Sequence, residues 1–282
     1  MSESKKKTPS KGTKPRILVI GAHPDDAEVA VGGVAAKWAR RGWVVRFVSV
    51  TSGQTGHFRD PPSTLAQRRI AEAKASADFI GVQSQVLPNV CGSLEPTLAN
   101  RWTIMRLIRE FAPDLILTHR PNDYHPDHRA TSQLVQDCSY LIRVPYNAPE
   151  APALRYSPVI AYLHDNFQKP YPFQGDVVID IDDIIKTKID MFHHHTSQAY
   201  EWVPWTQELL DQVPKGDAAR RKWLFDQWAP RYAAVADRFR SQLVERYGQA
   251  KGEKVRYAEA FEGCEYGAPL DAEAIERFFG GL

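Results

Sequence analysis

The chain has 282 residues, 43% of them hydrophobic and 25% charged, with a formal net charge of +2. Those values fit one large or two small globular domains and exclude a disordered or fibrous chain. No apolar run approaches the roughly 18–20 residues of a membrane span, so no membrane span is expected.

The charge is unevenly placed. The first fourteen residues, MSESKKKTPSKGTK, carry +4, which leaves −2 for the remainder. Residues 1–14 read as a disordered, basic, solubilising tail. Five lysines make a weak electrostatic anchor, so no nucleic-acid partner is expected. The tail also lacks the apolar stretch of a secretory signal. Cys91, Cys138 and Cys264 are sparse and scattered, and none forms a C-x-x-C pair. Reduced thiols and a cytoplasmic location are the expectation, with no cysteine-based metal site.

In chain order, RILVIG (16–21) reads as a strand. After Arg16 it is apolar without alternation, as a strand covered on both faces is. A helix follows and stops near Gly42. Residues 43–50 (WVVRFVSV) are a second strand, 63–81 a helix ending at Gly81, 85–88 a short strand, 96–113 a helix stopped by Pro113, and 114–119 (DLILTH) a fourth strand. Another helix begins after His125. Beyond residue 145 lies a Pro-rich loop, then strands at 159–163 and 176–181, then a helix from Asp182 that continues through the HHHTSQAY run. From about 204 to 250 the pattern is helical. Ala234, Val235, Phe239, Leu243 and Tyr247 fall on one stripe, read as core packing.

Alternating strands and helices specify an α/β fold, a Rossmann-like, mostly parallel sheet with helices on both faces, followed by a helical C-terminal extension. The predicted organisation is a tail at 1–14, an α/β domain at 15–200 and a helical extension at 201–282 packed on the same domain.

Two stretches place ionisable groups where packing does not need them. His23-Pro24-Asp25-Asp26 follows the first strand, and Asn122-Asp123-Tyr124-His125-Pro126-Asp127-His128 follows the fourth. If those strands are neighbours, both loops face one crevice beyond the carboxyl ends of the sheet. Either stretch alone could be a loop or a helix cap. Two His/Asp sets converging there point to a metal site, with Zn²⁺ or a similar divalent ion favoured by imidazole and carboxylate ligands. A dinucleotide is excluded at the first turn, because G-A-H-P-D-D replaces G-x-G-x-x-G and its carboxylates would repel a pyrophosphate. Local sequence does not rank Asp25 against Asp26.

AHPDDAE together with HPDH resembles the PIG-L/LmbE-like family of zinc-dependent N-acetylglucosamine deacetylases. Softer matches are Arg69, Glu72 and Ala73 in RRIAEA, His195, Ser197 and Gln198 in HTSQ, and YAEAF at 257–261. The resemblance implies His23, Asp26 and His128 as metal ligands, Asp25 as general base, His125 as the group stabilising the oxyanion or protonating the amine, and Asp127 as its orienting partner. It implies Arg69 and His195 as substrate contacts. The substrate implied is a small N-acetylated amino-sugar or conjugate. The competing readings are an amidase of the same chemistry on another N-acyl or thiol conjugate, and a non-catalytic metal- or sugar-binding module. The intact Asp25 and His125 argue against the module.

Two positions depart from the family pattern. Gln54 stands where many relatives have Glu, and Asn89 or Glu95 stand where an acidic sugar contact is common. Both lie on the substrate side. The resemblance also implies a homo-oligomer. Trp202 and Trp205 are read as core or subunit packing.

Overall fold

A computed structural model describes residues 14–282. The basic tail expected at residues 1–14 lies almost wholly outside them. Among the described residues no helix is long and apolar enough to cross a membrane.

Seven strands form one sheet in the order β3-β2-β1-β4-β5-β7-β6. Strands β1 (Arg16–Gly21), β2 (Val44–Thr51), β3 (Gln83–Asn89), β4 (Leu115–Thr118) and β5 (Val159–Leu163) run parallel. The last strand, β7 (Ala258–Gly263), lies antiparallel between β5 and β6 (Val177–Asp180). Thus the C-terminal segment adds a strand to the sheet as well as helices, which the sequence pattern did not indicate.

β1 is central. Ile17 and Val19 enter a core built with α1 (Asp26–Arg40), α5 (Ile185–His193), α7 (Asp217–Arg238) and α10 (Ala272–Phe279). Leu18 and Ile20 enter a second core with α3 (Leu98–Phe111) and α4 (Pro126–Leu141). Both faces are covered, which is why β1 is apolar from Ile17 to Gly21. β1 pairs β2 on one side and β4 on the other, so the order of strands reverses at the β1/β4 boundary. The connections after β1 and after β4 therefore open the crevice where such sheets bind ligands.

The helix expected from Asp182 ends at His193, and a π-helical turn occupies Gln198–Trp202. His195 is left in the irregular step between them, and Ser197, with helical dihedrals, leads into the π-helical turn. The helical stripe at 234–247 is also interrupted. Phe239 closes α7 and opens α8 (Arg240–Tyr247) with non-helical dihedrals. Val235, Phe239 and Leu243 still pack into one cluster, with Tyr247 at its edge. α2 (Pro62–Ile80) ends at Gly81 in the left-handed conformation (φ 76°), as the sequence implied.

Candidate metal centre

β1 delivers its last residue, Gly21, to the crevice. A Cβ there would sit 2.7 Å from the Asp26 Cβ, so the absence of a side chain lets Asp26 fold back over the strand end. Asp26 Oδ2 then accepts the His23 backbone N–H at 2.8 Å. Between them Asp25 takes φ 137°, ψ −22°. This is a strained conformation for a residue with a Cβ, and such outliers concentrate at functional sites.

Three side chains meet here. His128 Nε2 is 3.2 Å from His23 Nδ1 and 3.6 Å from Asp26 Oδ1, and His23 Nδ1 is 3.6 Å from Asp26 Oδ2. A tetrahedral ion with bonds of about 2.0–2.1 Å would hold its ligand atoms about 3.3 Å apart. The far nitrogens complete the argument. His23 Nε2 is 3.0 Å from Asp127 Oδ2, and His128 Nδ1 is 3.1 Å from Asp123 Oδ2. In the neutral ring each proton belongs on the nitrogen facing its carboxylate. Both lone pairs then point at one another, and a cation between them, metal or proton, makes the pair favourable. The donor set therefore fits a divalent ion.

The local field favours positive charge. Burial by itself would lower the His23 imidazole, but Asp127, Cys91 and Asp26 raise it to about 10. Burial would also lower His128, and Asp26 and Asp123 raise it. Asp26 is held well below the usual carboxylate range by His128, His119 and His23 against the effect of burial. Asp127 is fully buried and accepts the backbone N–H groups of Gly92 and Leu94 at 2.7 and 3.2 Å. With the His23 hydrogen bond, these overcome burial and hold it at about 2.

His119 was not singled out in the sequence. It lies directly beyond β4, accepts the Ala22 N–H through Nε2 at 3.1 Å, and brings that nitrogen within 3.1 Å of Asp26 Oδ2. Its ring stacks on His128 with centroids 3.9 Å apart. The only available signal was a histidine at the carboxyl end of a predicted central strand.

His125 lies beside the triad. One ring nitrogen each from His23, His125 and His128 falls within 4.8 Å of the others. His125 Nδ1 accepts the Asp127 N–H at 3.1 Å, so the neutral ring carries its proton on Nε2. Burial and the neighbouring His23 and His128 push this imidazole below its ordinary value. That favours a neutral hydrogen-bond donor. The Asp127 carboxylate is 4.0 Å from His125 Nδ1 but 3.0 Å from His23, so its side chain serves His23 and its backbone serves His125.

Asp25 is raised above the usual carboxylate range by burial and by Asp26, with Arg69 opposing. Arg69 is 2% exposed. It donates to Asp25 Oδ1 at 3.0 Å, to the Pro24 carbonyl at 2.5 Å and to the Gly53 carbonyl at 3.2 Å. His195 is 0% exposed, with Nε2 3.0 Å from Glu28 Oε1. Both residues expected to touch substrate thus sit behind the site. Gln54 also turns inward, accepting the Ser52 hydroxyl and the Cys91 N–H.

A mostly parallel sheet carries, at its switch point, a strained Asp25 beside His and Asp groups that could hold a metal ion. Residues 18–139, which hold both motifs, match the family model described as PIG-L, GlcNAc-PI de-N-acetylase. Over these residues the chain is similar to that family. It is 29% identical over 207 residues to a diacetylchitobiose deacetylase of Thermococcus kodakarensis, covering 69% of this chain and 74% of the relative. The N,N'-diacetylchitobiose deacetylase of Pyrococcus horikoshii superposes with a TM-score of 0.68 at 23% identity, over 89% of this chain and 84% of that one. A 4-carboxy-2-hydroxymuconate hydratase from Pseudomonas putida superposes with a TM-score of 0.66 at 17% identity, over 88% and 95%. The architecture is thus shared with a hydratase, and the side chains of the site must decide the chemistry.

Proposed function

We propose that this chain is a metal-dependent N-deacetylase that removes the acetyl group from an N-acetylglucosamine-type sugar or conjugate, with Zn²⁺ as the ion. The observation that carries the reading is the convergence of His23 Nδ1, His128 Nε2 and Asp26 beside a separate carboxylate, Asp25, whose pKa is raised. Binding alone would not need that fourth group. The ion would supply Lewis-acid polarisation of the acetamide oxygen and a lowered pKa for water.

The protein's own groups carry the rest. Asp25 takes the proton of the attacking water as general base, and its raised pKa brings it nearer the working pH. The Nε2–H of His125 donates to the oxygen of the tetrahedral intermediate. The C–N bond then breaks, and the proton held by Asp25 passes to the leaving amine. Arg69 and the Glu28–His195 pair are positioning residues. They hold the strained turn that presents Asp25. Asp127 and Asp123 fix the tautomers of His23 and His128. The three cysteines are unpaired and buried, which suits the reducing cytosol we assign to the enzyme.

Amine release from N-acetylglucosamine and its conjugates, with metal content measured in parallel, tests the reading. Asp25→Asn should lower kcat by about 10²–10⁴-fold with metal content retained. Full amide hydrolysis by that variant would sink the mechanism. Release of no amine from any N-acetyl sugar would favour the amidase alternative on another N-acyl compound.

A further inference from the structure

We propose that the outer edge of β3 is an interface between two copies of this chain, which pair antiparallel there and join their sheets across a two-fold axis. The inference stands apart from the deacetylase reading, because it uses no residue of the metal centre. The two edges of the sheet differ. β6 has four residues and is covered: α8 and α10 pack against it, and the Asp180 N–H donates to the Tyr247 hydroxyl at 3.1 Å. β3 has seven residues and pairs with β2 alone, and among the described residues no strand pairs with its outer side. Soluble proteins blunt a bare edge with charged side chains, proline, a bulge or a covering element. β3 reads QSQVLPN, without a charge. Its Pro88 stands near the carboxyl end and leaves Gln83–Leu87 free to accept a further strand.

α2 runs beside this edge. A groove of about 370 Å³ lies between them, lined by Ile70, Lys74 and Asp78 of α2 and by Val82 and Val86 at the strand. Ile70 is 46% exposed. The three α2 residues are four apart, so they form one stripe: apolar, positive, negative. Lys74 Nζ lies 2.5 Å from Asp78 Oδ2, and both side chains are exposed. A two-fold axis perpendicular to the sheet presents the same stripe reversed. With the axis level with Ser76, Lys74 faces the partner's Asp78, and Asp78 faces the partner's Lys74. The stripe is complementary to itself, which selects a second copy of this chain as the occupant.

The strand places the axis at the same height. From Ile80, where α2 ends, back to Ser76 is about 6 Å at 1.5 Å per residue. From Gln83, where β3 begins, up to Gln85 is about 6.6 Å at 3.3 Å per residue. Gln85 is the middle of the free stretch, so one axis centres both the strand pair and the charge pair. The two α2 helices then lie antiparallel on one face of the joined sheet. The partner's Ile70 reaches the foot of the groove, beside Val82. Because the paired strands are antiparallel, the two crevices open in opposite directions and neither is blocked.

The test uses the full chain. Light scattering should give twice the mass of one chain. Facing Cα atoms of an antiparallel pair lie about 4.5–5.5 Å apart, within reach of a disulfide. Gln85→Cys should therefore crosslink into a covalent dimer on mild oxidation. Gln227→Cys, on α7, should not, and the three native cysteines are buried. Lys74→Asp sets like charges across the axis and should weaken the dimer by about 3- to 10-fold, with Tm of the chain little changed. Lys74→Asp combined with Asp78→Lys rebuilds the complementary stripe and should restore the dimer. A monomer at every concentration overturns the proposal. So does an oligomer in which Gln85→Cys crosslinks no better than Gln227→Cys, or one whose dissociation ignores Lys74→Asp. A double variant as weak as the single one removes the two-fold charge pairing and the proposal with it.

Discussion

Asp127 shows how one side chain serves several partners. It accepts two backbone N–H groups from the loop after β3 and faces His23 Nε2. Replacing it with Ala leaves those donors buried and unpaired and frees the His23 ring. We expect about 1–3 kcal/mol of lost stability and metal affinity weaker by about 10–100-fold. Denaturant melts and metal titration of Asp127→Ala check both, and unchanged metal affinity would show that His23 does not need it. Arg69 is the corresponding support of Asp25. Arg69→Lys keeps a charge but loses the fork that spans Asp25, Pro24 and Gly53. Its kcat should fall with KM and metal content little changed. A rise in KM alone would restore Arg69 to the substrate-contact role read from the sequence. HPDD and HPDH were legible because such residues have no packing purpose at strand ends. Their roles were not, because the partners of both His23 ring nitrogens lie about a hundred residues away in sequence.

Between elements, the fixing of α1 matters most, since its first turn carries Asp26 and Glu28. Lys188 of α5 and Glu259 of β7 form a buried pair at 2.5 Å. Glu259 accepts the Gly33 and Val34 N–H groups, both at 2.8 Å, and Lys188 donates to the Glu28 and Val29 carbonyls. Gly33 permits this approach, because a Cβ there would lie 3.0 Å from both Glu259 Oε1 and Ile181 Cγ2. Removing one charge strands the other in the core. Lys188→Met should therefore cost about 3–5 kcal/mol, and Lys188→Met with Glu259→Gln should cost less than Lys188→Met alone. Denaturant unfolding of the single and double variants decides it. A second contact ties β5 to α7. His164 packs edge-on to Phe173 and Phe239. Burial, with Arg238 and Arg120 nearby, lowers it to about 4. The unfolded chain binds this proton near pH 6.5 and the folded one only near 4. Its contribution is therefore complete above about pH 6.5 and is lost as pH falls toward 4. Tm of His164→Gln should fall less steeply than wild type across that window, and parallel curves would refute the assignment.

Over the whole molecule, the proposed metal centre would join the loop after β1 to the loop and helix after β4, the two sides of the switch point. An ion held by His23, Asp26 and His128 binds the folded state only, so chelation should lower Tm as well as abolish activity, and added Zn²⁺ should restore both. Loss of activity with no change in Tm would place the metal elsewhere. The sequence by itself determined the five parallel strands through short apolar runs set between helical patterns, clearest in β4 and in residues 17–21 of β1, which are covered on both faces. It also determined the two acid–imidazole clusters, because two such sets after neighbouring buried strands exceed what loops and helix caps need. Only the tertiary structure decided that YAEAF is a strand threaded between β5 and β6. Its Glu259 is a charge that pays for its burial through partners on α1 and α5, and strand patterns do not announce such a residue. The fold likewise set His119 against Asp26 and drew Arg69 and His195 behind the site. Each of those outcomes depends on which strands are neighbours and which side chains face one another across them, and no local pattern carries that information.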